Sequence, residues 1–249
     1  MKETELYETI FKRKSIRNYD LTPLDQNTLN TISTHLNDLE SLYEDIKTEF
    51  KIIRTDDVKR RMMKKAPHYI AAFSEVKEGY LTNIGFMLQQ MDLFLSANGI
   101  GSCWQGIPKL KKEVLESEEL KFIILIAFGN PNELLYRTNV SEFKRKPLKE
   151  MNDFNGLQEL LEAVRLAPSA TNSQPWFLKG DDNLIHVYAI KPGFVRGLVA
   201  KKYIPIDVGI ALYHLKLSAE HMGKKTEILI DKKKDNLSGY EYVASMKLF

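Results

Sequence analysis

The chain has 249 residues, 43% hydrophobic and 28% charged, with a formal net charge of +3, which allows one large domain or two joined ones and gives no reason to expect nucleic acid. Cys103 is the single cysteine, so an internal disulfide and a Cys-x-x-Cys metal or redox site are excluded. The opening Met-Lys-Glu-Thr-Glu-Leu-Tyr lacks an apolar signal core and no apolar run is long enough to span a bilayer, so no membrane partner and a cytoplasmic location are expected.

Near the start stands the basic run Lys12-Arg13-Lys14-Ser15-Ile16-Arg17-Asn18-Tyr19. It reads either as a solvated helix end or as an extended segment whose Arg13, Ser15 and Arg17, at alternate positions, face one anionic or carbonyl-rich ligand. A helix is predicted near Asp25–Leu36, a strand over His68–Phe73, and an amphipathic helix over Ile84–Gly99. The segment Asn98-Gly-Ile-Gly-Ser-Cys-Trp104 follows a helix rather than a strand, so it is no dinucleotide fingerprint but a tight turn where backbone can approach a ligand. Cys103 has no basic partner nearby and is read as a buried thiol. A buried strand is predicted over Lys121–Gly129, and a polar linker over Tyr136–Glu150 carries Lys144-Arg145-Lys146.

The second half opens with a predicted helix over Phe154–Leu166, and then Leu-Ala-Pro-Ser-Ala-Thr-Asn-Ser-Gln-Pro-Trp at 166–176. Pro168 cannot continue the helix, and Pro175 disfavours helix at Gln174, so the residues between form a loop of restricted shape. Ser169, Asn172 and Gln174 offer uncharged donors and acceptors beside an indole, which suits a planar heteroaromatic ligand; the plainer reading is a helix stop before a strand, with Trp176 in the core. A strand over Leu184–Ile190, a helix over Val208–Gly223 and a strand over Tyr240–Phe249 follow, with Lys232–Lys234 as a hairpin tip. The five histidines form no metal pattern: His214 and His221 share a helix face without a third ligand.

The two central helices align without a gap. Ile84, Met87, Leu88, Met91 and Leu95 correspond to Val208, Ala211, Leu212, Leu215 and Ala219 at a constant offset of 124 residues, and both segments end in glycine. With similar strands on either side, the pattern is helix, strand, helix, strand, twice over, which predicts an internal duplication with halves at 1–143 and 144–249.

Arg-Lys-Ser-Ile-Arg-Asn-Tyr, Ala-Pro-Ser-Ala-Thr-Asn-Ser-Gln-Pro-Trp, Gly-Ile-Gly-Ser-Cys-Trp and a late Lys-Arg-Lys-Pro together resemble the FMN-dependent nitroreductase family, whose α+β fold works as a homodimer with FMN at its interface. In that family the basic segment and the proline loop lie close together near the N-terminus; here they fall in different halves. The chain is therefore similar to the fused, single-chain branch, with two halves packed as a pseudo-dimer and a monomer possible because the dimer-like interface is internal. The resemblance implies that Arg13, Lys14, Ser15 and Arg17 meet the ribityl, phosphate and pyrimidine edge of FMN. Pro168, Ser169, Asn172 and Gln174 would approach the isoalloxazine from the other half. Ser102, Cys103 and Trp104 would run near N5, and Arg145 with Lys144 or Lys146 would meet the phosphate. It implies an oxidoreductase passing electrons from NAD(P)H to a nitroaromatic, quinone or related small acceptor, with no metal and no catalytic acid or base. The alternative is a non-catalytic flavin-binding or degenerate scaffold of the same fold.

Overall fold

The computed structural model describes residues 3–59, 65–116, 118–191, 197–231 and 234–249; Lys232 and Lys233 of the expected hairpin tip lie outside them. In chain order the elements are α1 (Glu3–Ile10), α2 (Gln26–Asn37), β1 (Thr48–Arg54), β2 (Val58–Lys59), β3 (His68–Ser74), α3 (Tyr80–Ala97), β4 (Gly101–Gln105) and β5 (Lys109–Leu110). Then come α4 (Lys112–Glu116), β6 (Lys121–Gly129), α5 (Gln158–Arg165), β7 (Trp176–Gly180), β8 (Leu184–Ile190), α6 (Gly197–His221), β9 (Thr226–Leu229) and β10 (Tyr240–Leu248). Unit 1 comprises Met1–Phe11, Leu81–Gln89 and Asn139–Phe249, and unit 2 comprises Lys12–Tyr80 and Gln90–Thr138. The expected boundary at 143/144 falls near the Asn139 edge of unit 1, but α1 and Leu81–Gln89 from the first half pack with the second.

Unit 2 is built on an antiparallel sheet ordered β1-β3-β6-β4. Every residue of β3 is buried, as a central strand requires, while β1 alternates charged and apolar residues and lies at an edge. Ile16, Tyr19, Ile53, Tyr69, Phe73 and Leu125 belong to one apolar cluster on this sheet. Asp25 caps α2, its Oδ1 accepting from Thr28 N at 3.0 Å.

Unit 1 is built on a second antiparallel sheet, ordered β7-β8-β10-β9. In both sheets the strands run first, second, fourth, third, and a long helix links the second to the third. The central strands and helices stand where the apolar patterns put them. Among the added strands, β1, β4, β7 and β9 all lie at sheet edges. β4 takes up most of the expected glycine turn: Ser102 pairs with Phe128 and Trp104 with Ile126. The turn proper is left to Asn98–Ile100, with Gly99 at φ 78°. α5 starts later than expected because Gly156 and Leu157 adopt left-handed backbone, φ 101° and 46°. α6 starts well before Val208 and carries Pro205 within it.

The alignment of the central helices has a physical counterpart. A β-carbon on Gly85 would lie 2.1 Å from the Ile206 carbonyl oxygen, and one on Gly209 would lie 2.1 Å from the Thr82 carbonyl oxygen. Each glycine thus seats the other helix's backbone, and both glycine and carbonyl correspond at the 124-residue offset. Gly85→Ala and Gly209→Ala should each cost about 1–3 kcal/mol in urea unfolding, because a backbone carbonyl cannot rotate away as a side chain can. A loss below about 0.5 kcal/mol, the ordinary range for surface changes, would contradict the close crossing.

Candidate functional site

The basic segment of unit 2 is extended, as one of its two sequence readings requires. Backbone bonds run from Arg137 N to Lys12 O (2.7 Å), Asn132 N to Asn18 O (2.9 Å) and Asp20 N to Asn130 O (3.0 Å). On its other side Ile16 N donates to Ser102 O at 2.8 Å, which brings the segment beside the start of β4. Gly101 makes that approach possible, since a β-carbon there would lie 2.9 Å from the buried Ile16 side chain. Tyr19 donates its hydroxyl to Ile16 O at 2.6 Å. The structure thus joins two segments that are distant in sequence, the basic run and Ser102–Trp104.

Their side chains do not all face outward. Arg13 is 2% exposed, with Nε 3.0 Å from Oδ2 of the fully buried Asp92, a charge contact rather than an aligned hydrogen bond. Its other end donates to Ser15 Oγ at 3.2 Å, and Arg137 donates to its carbonyl. Asp92 Oδ1 accepts from Ser102 Oγ at 2.6 Å. Lys14 pairs with Glu133 at 3.3 Å, and Glu133 Oε1 accepts from the backbone N–H groups of Arg17 and Asn18 at 2.9 and 3.0 Å. Partial burial works against the Glu133 carboxylate, but those N–H groups and the Lys14 ammonium hold it below its ordinary range. Arg17 is exposed, and its guanidinium donates to Ser15 O at 3.4 Å.

Cys103 is buried in β4, and burial pushes its thiol up. Trp104 Nε1 and Gln105 Oε1 are buried and have no hydrogen-bond partner among the described residues. A buried donor and a buried acceptor on one strand are thus left open among the described residues.

In unit 1 the proline loop and the basic linker form one network. Asn172 Nδ2 donates to Lys144 O at 2.9 Å, and Arg145 donates to Asn172 Oδ1 and to Leu166 O. Lys146 N donates to Gln174 Oε1 at 2.8 Å, and Gln174 N donates to Ser169 Oγ at 2.9 Å. Gln174 is buried, its side-chain amide donating to Asn172. Thr171, Asn172 and Gln174 all have positive φ, 54°, 58° and 40°, as does Lys144 at 51°. Non-glycine residues adopt this backbone only where their surroundings impose it, and such strain gathers at functional sites. The indole of Trp176 is buried and begins β7, so it is a core residue and offers no open aromatic face.

The carboxyl groups that organise both clusters have no part in the motifs read from the sequence. Asp92 and Asp207 are each the only acidic residue in a long apolar stretch, 80–97 and 197–219, and that isolation is the signal that could have found them. Asp207 on α6 accepts from Ala170 N with both oxygens, at 3.0 and 3.1 Å, and so fixes the loop. Burial pushes its pKa up to about 8 against the opposing effect of that N–H. No group of His, Cys, Asp and Glu side chains that could hold a metal occurs among the described residues.

Asp207 holds its proton more tightly in the folded chain, at about 8, than in the unfolded one near its ordinary value of 3.8. Its contribution to stability is therefore fully present below about pH 4 and is lost as pH rises through 8. Asp207→Asn should gain on the wild type across that window, by on the order of 3–5 kcal/mol at pH 9, in urea titrations at pH 5, 7 and 9. A difference independent of pH would show that Asp207 is not held protonated.

No protein of curated function matches the chain. A "putative nitroreductase" of Thermotoga maritima is 24% identical, with a TM-score of 0.68 over 100% of this chain and 95% of that one, a likeness of fold. An FMN-dependent nitroreductase of Clostridium difficile is 19% identical, with a TM-score of 0.46 over 60% of this chain and 98% of that one. A nitroreductase of Bacteroides fragilis with bound FMN is 20% identical, with a TM-score of 0.44 over 54% and 94%. The family described as "Putative TM nitroreductase" matches residues 5–219, a span that takes in the basic segment, β4, the linker and the proline loop. The chain belongs to that nitroreductase family.

Proposed function

We propose that this protein is an FMN-dependent oxidoreductase that passes electrons from NAD(P)H to a nitroaromatic, quinone or related small acceptor. The observation that carries the reading is that the family match spans every segment in which flavin contacts were expected, and that two of those segments are joined at β4. Bound FMN would supply the hydride chemistry itself. In unit 2, Ser15, Lys14 and Arg17 would bind its polar and charged edge, and the positive charge of Arg17 would favour a negative ring by direct Coulomb attraction. Ser102, Cys103 and Trp104 would line its ring, with Trp104 Nε1 as a donor still open among the described residues. In unit 1, the loop from Pro168 through Ser169 and Asn172 to Gln174 would present a fixed surface, and Lys144, Arg145 and Lys146 would attract the phosphate.

We further propose that the chain is internally duplicated, takes up one FMN and needs no second copy. The shared strand order and the reciprocal glycine crossing support this reading. Only one half would carry the loop, since its expected counterpart near Ser33–Leu39, Ser-Thr-His-Leu-Asn-Asp-Leu, begins within α2. The rival reading, a flavin-binding scaffold without turnover, is favoured by one observation: the amide groups of Asn172 and Gln174 are engaged within the chain.

Purified protein should take up one equivalent of FMN in calorimetric titration, and NAD(P)H should bleach the flavin bands. With a quinone or nitroaromatic acceptor, double-reciprocal plots should be parallel, since one flavin serves both substrates in turn. Flavin uptake without bleaching would establish the scaffold, and two equivalents of similar affinity would remove the single-site reading. Arg17→Ala should weaken FMN binding by about 1–3 kcal/mol, the cost of a charge-assisted hydrogen bond. An unchanged dissociation constant would take Arg17 out of the site.

A further inference from the structure

We propose that Asp92 is the positioning residue of unit 2's flavin-binding segments, and that Arg13 is its buried counter-cation rather than a ligand of the flavin phosphate. The flavin part of this proposal rests on the FMN reading above. One carboxylate reaches both segments: Oδ2 meets Arg13 Nε at 3.0 Å and Oδ1 accepts from Ser102 Oγ at 2.6 Å. Arg13 continues to Ser15 Oγ at 3.2 Å, and Ile16 N returns to Ser102 O at 2.8 Å. The ring of contacts runs Asp92, Arg13, Ser15, Ile16, Ser102 and back to Asp92, so the register of the basic segment against β4 is set from beneath by a side chain of α3.

The charges decide what Arg13 can do. A carboxylate inside an apolar helix stripe is costly to keep unless an opposite charge lies beside it, and removing one partner of such a pair leaves the other exposed to the full penalty. Arg13 and Asp92 are 2% and 0% exposed, so a phosphate meeting Arg13 would have to compete with that buried pair. Lys14 is neutralised by Glu133. Within Arg13–Arg17 the exposed cation is Arg17, whose guanidinium donates to a neutral carbonyl, Ser15 O. The family motif places a positive charge at 13; in this chain a carboxylate from α3 claims it.

Riboflavin, which lacks the phosphate, separates the two roles. We would measure thermal unfolding without flavin, and the dissociation constants of FMN and riboflavin, for wild type, Arg13→Gln, Asp92→Asn and the double variant. Each single change should lower Tm by about 10 °C, as expected for half of a broken buried pair. The double change should recover at least half of that loss, because Gln and Asn can bond without charge. The preference of the double variant for FMN over riboflavin should stay within about threefold of wild type. Additive Tm losses would overturn the pairing. A tenfold fall in the FMN preference of the double variant would make Arg13 a phosphate ligand and overturn the assignment. Should a single variant fail to fold, the double variant against wild type still gives the flavin readout, and Arg13→Lys supplies the stability comparison. Wild type binding neither flavin would overturn the FMN reading and the flavin role of Asp92 together, while the unfolding measurements would still judge the Asp92–Arg13 pair.

Discussion

Two helices can approach until their backbones touch only where neither has a β-carbon in the way. The crossing of α3 and α6 at Gly85 and Gly209 is such a contact, and much of unit 1 is arranged around it. Close by, His214 lies buried between Gln89 and the Ala163 carbonyl. The carbonyl can only accept, so Nδ1 carries the proton and Nε2 accepts from the Gln89 amide. The ring thereby ties α3, α6 and α5 together. α5 leads directly into the proline loop, whose first peptide N–H after Ser169 is fixed by Asp207 on the same α6. The position of the loop thus follows from how closely two backbones pack.

Two acids buried in apolar helices solve the same electrostatic problem in different ways. Asp92 keeps an opposite charge beside it and binds a hydroxyl with its second oxygen. Asp207 has a peptide N–H instead, and its affinity for a proton rises until neutrality is the cheaper state. One helix therefore supplies an anchor made by a charge pair, and the other an anchor that depends on the proton.

The large apolar elements were legible in the sequence. The stripes of α3 and α6 and the runs of β3, β6, β8 and β10 are buried on enough sides that period and composition reveal them. Edge strands were not, because β1 and β9 bury little and their charged residues read as loop. The basic run and the loop stood out as motifs, yet what their side chains do was hidden. Arg13 is turned inward by a residue 79 positions away, and Asn172 is held by a linker 27 or 28 positions before it. Such partners carry no periodic signal. Only the isolation of Asp92 and Asp207 among apolar neighbours hinted at them.

The bonds that close the proline loop onto the linker use main-chain atoms at two of their three linker positions: the carbonyl of Lys144 and the N–H of Lys146. Both survive almost any replacement of the side chain. Residue 144 has its ammonium in solvent, so its charge can change while the loop keeps its shape, provided the replacement accepts the left-handed backbone at φ 51°. Position 145 has no such latitude, because its guanidinium bridges Asn172 and the Leu166 carbonyl. Position 146 excludes proline, and its ammonium adds a bond to the Gln174 carbonyl at 3.3 Å. The linker therefore divides adjacent residues into one whose charge can change and two that keep the architecture constant.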